Sequence, residues 1–88
     1  MKTVIIKRKG HTEHFDERKL YASVYSAALN CHYSDRDSEA IAKNLTAKIK
    51  KIIKGKTKLT SDELKHITIK NLEDKHVALM YKHHLDLC

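Results

Sequence analysis

The sequence predicts an α+β fold, a small sheet begun by an N-terminal hairpin and backed by four helices. Three observations point there. Residues 1–15 carry a β-branched run, Val4-Ile5-Ile6, then a turn containing Gly10, then a second short run ending at Phe15. From Asp16 onward, apolar residues recur at helical spacing in four segments. Pro is absent and Gly occurs only twice, which argues against a loop-rich all-β chain and against a disordered linker. Eighty-eight residues correspond to a single domain, 1–88, with room for one modest core.

In chain order, Gly10 supplies the positive φ that a tight hairpin turn needs. Asp16 is a suitable N-cap for a helix over about residues 17–30. Leu20, Val24, Ala27 and Ala28 form its apolar stripe, extended by Tyr21 and Tyr25, and Asn30 is its expected stop. Ser34, with Asp37 three residues on, opens a second helix. Its stripe is Ile41, Leu45, Ile49, Ile52 and Ile53, and Gly55 is its expected C-terminal residue. Lys56–Leu59 reads as a connector or strand. Thr60 and Glu63 form a capping-box pattern for a third helix with Leu64, Ile67, Thr68 and Leu72 inward. The pattern breaks at Glu73-Asp74-Lys75. Val77, Ala78, Met80, Tyr81 and Leu85 then mark a fourth helix.

Lys and Arg number 18 against 11 Asp and Glu, a formal charge of +7. Such a surface attracts anions: nucleic acid, nucleotide phosphates, acidic protein or anionic membrane. No apolar run approaches the roughly 18 residues of a spanning helix, so no membrane partner is expected. Met1–Ile6 is too short for the apolar core of a signal peptide, and two cysteines are too few for a disulfide scaffold. The expectation is a reduced, cytoplasmic protein.

The first helix breaks a local rule. Its N-terminus carries partial positive charge, yet Arg18 and Lys19 occupy its first turn and Lys7, Arg8 and Lys9 occupy the preceding hairpin turn. Five cations at one helix end suit a phosphate chain; they are equally consistent with a solvated basic surface partly neutralised by Asp16 and Glu17. A second basic feature, Lys43, Lys48, Lys50, Lys51, Lys54, Lys56 and Lys58, loads the back of the second helix and its exit. It reads as a solvated face or a nucleic-acid patch, but no aromatic residue interleaves with it. Gly55-Lys56-Thr57 lacks the spacing and the preceding strand of a P-loop. Adjacent His83 and His84, with Cys88 and Cys31-His32, do not form the paired ligands of structural zinc, so no metal is expected. No catalytic constellation is present, and no enzyme is expected.

Val4-Ile5-Ile6-Lys7-Arg8-Lys9-Gly10, then Glu13-His14-Phe15-Asp16 and Lys19-Leu20, resembles the opening of the ATP-cone domain. Thr60-Ser61-Asp62-Glu63-Leu64 resembles the start of its third helix, and Val77-Ala78-Leu79-Met80-Tyr81 its closing segment. The likeness runs over residues 3–85. ATP-cones occur at the N-terminus of ribonucleotide reductase large subunits and in the repressor of reductase genes. The resemblance implies a four-helix bundle covered by a three-stranded sheet, with Lys56–Leu59 as third strand. It further implies a stand-alone allosteric sensor of ATP or dATP, linked to ribonucleotide reduction or its control through a partner in trans.

Carried over by position, the resemblance makes Lys7, Arg8 and Lys19 phosphate contacts and places Ile5 beside the base. It sets Glu13 and Asp16 against base or ribose, and Ser61 and Lys65 toward the nucleotide from the third helix. Mg2+ would arrive mainly on phosphate oxygens. Met80 stands where the family usually has Arg, so one basic contact is missing, and Lys9 replaces a common Asp. Two alternatives remain: a nucleic-acid-binding protein using the lysine face, and a vestigial cone whose apolar stripes mediate association into homo-oligomers.

Overall fold

A computed structural model describes residues 3–7 and 9–86, the last four of these by their backbone. Three strands and four helices follow in the order β1 (Val4–Ile6), β2 (Thr12–His14), α1 (Glu17–Asn30), α2 (Asp35–Ile53), β3 (Lys58–Thr60), α3 (Ser61–Asn71) and α4 (Lys75–Asp86). This is the expected α+β arrangement of a three-stranded sheet on a four-helix core.

The sheet order is β2-β1-β3. β1 runs antiparallel to β2, with Ile5 opposite Glu13, and parallel to β3, with Ile5 beside Leu59. Residues facing each other across strands share one face of a sheet. Ile5 and Leu59 are both buried, so that face is the one turned to the helices. Glu13 therefore sits on the inner face of an edge strand, while Thr12 and His14 on either side are exposed. The hairpin turn closes through Gly10 at φ +82°, with Lys7 N–H donating to His11 O at 2.7 Å and Gly10 N–H to Lys7 O at 3.0 Å. The third strand begins two residues later than the resemblance implies: the Lys56 N–H still closes the end of α2 on Ile53 O, while Thr57 O accepts the Val4 N–H just ahead of the strand.

Each helix boundary has a chemical cause. The Asp16 side chain accepts the Arg18 N–H at 2.9 Å, and Ser34 accepts the Asp37 N–H at 3.1 Å. Thr60 and Glu63 form a complete capping box, with Glu63 N–H to Thr60 Oγ1 at 3.0 Å and Thr60 N–H to Glu63 Oε1 at 3.4 Å. Two expected stops work differently. α1 does end at Asn30, but the left-handed residue is His32, at φ 71°. His32 N–H donates to Leu29 O and Tyr33 N–H to Ala28 O, the paired bonds of a Schellman motif. α2 ends without a left-handed glycine, as Gly10 is the glycine with positive φ. Instead Lys56 N–H and, at 3.4 Å, the Thr3 hydroxyl both reach the Ile53 carbonyl. Thr3 also donates to Lys56 O at 2.9 Å, tying the sheet to the helix end.

The core is formed by Ile5 and Leu59 from the sheet, the Leu20-Val24-Ala27-Ala28 stripe of α1, Ala42, Leu45, Ile49 and Ile53 of α2, and Leu72, Val77 and Tyr81. α1 packs most extensively on α2 and next on α4. Ala27 and Ala28 of α1 and Ala42 of α2 are fully buried small residues in this packing. One expectation fails here: Ile52 is 40% exposed, although its spacing put it in the stripe. On α4, Leu79, which the expected stripe omits, is largely exposed, and Asp74 caps the helix by accepting the N–H groups of His76 and Val77.

Candidate functional site

Three surfaces meet at the inner face of the hairpin. Strand alternation turns Ile5, Lys7 and Glu13 toward the helices. On α1, Asp16, Lys19, Leu20 and Ser23 lie three or four residues apart and so share one face. On α3, Ser61, Leu64 and Lys65 do the same from its first turn. Together with His14, Phe15 and Tyr81 of α4 they line a cavity of about 230 Å³. Its floor is mostly apolar, made by the buried Ile5, Leu20 and Tyr81 with the half-buried Leu64, and its mouth carries the exposed Lys7 and Lys19.

Of the residues singled out for nucleotide contact, Ile5, Lys7, Glu13, Asp16, Lys19, Ser61 and Lys65 all line this cavity. Arg8 lies outside the described residues. Among the described residues the cations of the cluster do not all converge on one place. Lys7 and Lys19 both turn to Glu13, whereas Arg18, 3.7 Å from Asp16 and almost fully exposed, lines a neighbouring groove. The N–H groups of α1 are also less available than the charge pattern suggests: Asp16 takes the Arg18 N–H with its side chain and those of Lys19 and Leu20 with its carbonyl. α3 offers the other helix start, where Ser61 is the first residue after the Thr60 cap.

Glu13 organises the cationic side. Its Oε1 lies 3.2 Å from Lys7 Nζ and its Oε2 lies 3.7 Å from Lys19 Nζ. The hydrogen bond from Lys7 holds the Glu13 carboxyl below its ordinary range, the charges of Lys7 and Lys19 add to this, and desolvation opposes it. Both lysines stay substantially exposed, so they remain able to turn to a more highly charged guest. At the floor, burial pushes the Tyr81 hydroxyl upward, and it stays neutral at physiological pH.

Tyr81, Leu64, Leu20, Phe15, His14 and Ser23 were not anticipated as cavity residues. Leu20, Leu64 and Tyr81 read as ordinary core residues, and periodicity cannot tell a core residue from one whose edge faces a cavity. Met80, by contrast, packs half-buried against the core and does not line the cavity.

Among the described residues no group of three or more His, Cys, Asp or Glu converges to hold a metal. The side chains of His83 and His84, and Cys88, lie outside the described residues. No helix among those residues is long and apolar enough to cross a membrane.

A family model for the ATP cone domain matches residues 3–84. No curated protein matches the chain.

Proposed function

The chain belongs to the ATP cone domain family, a nucleotide-binding regulatory domain rather than a catalytic one, and on that premise we propose that the cavity beneath its hairpin is the ATP or dATP site. The observation that carries this reading is the juxtaposition of an apolar floor with a cationic mouth. A flat base gains from contact with Ile5, Leu20, Leu64 and Tyr81. The triphosphate then lies over Lys7 and Lys19, with Lys65 and Ser61 lining the same cavity from α3. A volume near 230 Å³ is below the roughly 300 Å³ of typical small-molecule sites, so it encloses the base and leaves the phosphates at the rim. Glu13 and Asp16, which line the same cavity, are the residues proposed to contact base or ribose.

Lys7 and Lys19 attract the phosphate oxygens as point charges, and the Arg8 guanidinium supplies a bidentate fork. Glu13 must give up part of its lysine contacts as the phosphates enter. A Mg2+ ion would ride on phosphate oxygens and neutralise part of their charge, since the described side chains provide no metal cage of their own. The protein's part is to bind, orient and respond. A regulatory effect requires that the nucleotide favour one conformation over another, and the hairpin, α1 and α3 are the elements it would draw together.

On this reading residues 1–88 act as one cytoplasmic cone that reports adenine nucleotide to ribonucleotide reductase, or to a regulator of its genes, in trans. Calorimetric titration with ATP and with dATP tests the site. The wild type should release binding heat, and the double variant Lys7→Ala, Lys19→Ala should not. Wild-type affinity in that variant would overturn the assignment.

A further inference from the structure

We propose that the groove between the β2–α1 junction and the C-terminal half of α2 binds single-stranded nucleic acid, at a site distinct from the nucleotide cavity. The lysine row of α2 lacks aromatic neighbours in sequence, which speaks against base stacking. The fold supplies them from elsewhere. His14 and Phe15 stand on the same groove as Lys50, Lys51 and Lys54, and Arg18 lines it as well. The groove measures about 1080 Å³, several times the nucleotide cavity, and Ala47 and Ile53 join Phe15 in giving it an apolar wall.

Helix geometry explains the row. Residues 43, 47, 50 and 54 fall on one face, so Lys43 continues the line set by Lys50 and Lys54, with Ala47 leaving a gap between the cationic arms. These four span roughly 16 Å of helix at about 1.5 Å per residue. All three lysines and Lys51 are exposed. Among the described residues Lys51 and Lys54 have no carboxylate partner, whereas Lys50 is held by Glu17 at 2.7 Å.

A line of cations tracking a backbone, beside rings on which bases rest, is the pair of features that single-strand binders combine. A duplex presents its phosphates but keeps its base faces stacked away, so the rings would go unused. An acidic peptide would use the lysines and leave the rings idle too. His14, Phe15 and Asp16 line both the groove and the nucleotide cavity, so an occupant of one alters the wall of the other.

The test is fluorescence anisotropy with a labelled oligothymidine of about 12 nucleotides, within the range one small domain covers. Binding should weaken steeply with salt. The double variant Lys51→Ser, Lys54→Ser should bind at least tenfold more weakly. It should also lower the log–log salt slope by about 1.4, at roughly 0.7 for each phosphate no longer neutralised. Glu17→Gln frees Lys50 and should tighten binding. His14→Ala and Phe15→Leu should each weaken it about threefold or more, and the exposed His14 keeps that arm informative if Phe15→Leu does not fold. Unchanged affinity in the lysine variant overturns the proposal. So does equal affinity for a duplex of the same length, for inorganic polyphosphate or for a polyglutamate peptide. ATP calorimetry on the lysine variant separates the two sites, since Lys51 and Lys54 do not line the nucleotide cavity.

Discussion

Glu13 Oε1 lies 3.2 Å from Lys7 Nζ, and this pair joins the edge strand to the end of the central one at the mouth of the cavity. The second carboxylate oxygen reaches Lys19 on α1 at 3.7 Å. One carboxylate thus lies between the two lysines proposed to hold phosphate. It steadies them, and it competes with the guest. Glu13→Gln should therefore raise the affinity for inorganic triphosphate by about two- to thirtyfold, the range expected if each of the two exposed ion pairs contributes roughly 0.2–1 kcal/mol. ATP should gain less, because the same substitution weakens the proposed contact to ribose or base. Calorimetry with both ligands checks the ratio; equal gains would remove Glu13 from the sugar or base side of the site.

Two carboxylates shape the response to acid. Glu13 is held below its ordinary 4.5, chiefly by the hydrogen bond from Lys7. Asp74 is held below its ordinary 3.8, first by the hydrogen bond that Tyr33 donates and then by the Val77 N–H at the start of α4. A depressed carboxyl contributes stability that is fully present above its unfolded value and is lost as pH falls through its folded value. Urea midpoints should therefore hold down to about pH 5 and fall below the ordinary carboxylate range. Asp74→Asn keeps an acceptor for the cap but removes the titration, so its acid limb should be shallower than that of the wild type. Parallel limbs would show that Asp74 does not govern the transition.

His32 sits at φ 71° to complete the Schellman turn after α1. A left-handed residue with a Cβ costs about 1–2 kcal/mol, and glycine is free of that cost although it loses roughly 0.5–1 kcal/mol in unfolded-chain entropy. His32→Gly should then stabilise the protein by about 0.5–1 kcal/mol in chemical denaturation. His32→Val, β-branched at the same φ, should destabilise it. An identical midpoint for all three would mean the turn tolerates side chains without strain.

Much of this fold follows from local chemistry written in short stretches. Asp16, Ser34 and the Thr60–Glu63 pair announce three helix starts, and each makes the expected bond. Gly10 announces the turn. Interactions between distant segments were less legible. Nothing local to α2 says that Thr3, some fifty residues away, will close its last turn. Nothing in the lysine run says that Phe15 will stand beside it. For the site, the cation cluster was visible, but its division was not. Lys7 and Lys19 face one cavity while Arg18 faces another, because adjacent positions on α1 point in different directions. Glu13 had a readable signal in its register: an acid opposite Ile5 on an edge strand must either leave the inner face or find cations there.

α2 shows how a periodic pattern can be right in period and wrong in phase. With Ile49 set at zero on a helical wheel of about 100° per residue, buried Ser38, Ala42, Leu45, Thr46 and Ile53 fall within roughly −40° to +60°. Ile52 and Ile41 fall near −60° and −80°, outside that sector, and are exposed and half-buried respectively. The apolar residues alone place the stripe some tens of degrees toward Ile52, because buried Ser38 and Thr46 are discounted as polar. Two identical substitutions separate these positions. Ile49 is fully buried, so Ile49→Ala should cost about 2–5 kcal/mol through reduced burial and the cavity left behind. Ile52 is 40% exposed and has solvent on one side, so Ile52→Ala should cost less than about 1 kcal/mol. Urea denaturation of both variants measures the difference. Equal destabilisation would place Ile52 inside the core and return the stripe to the phase that the isoleucines suggest.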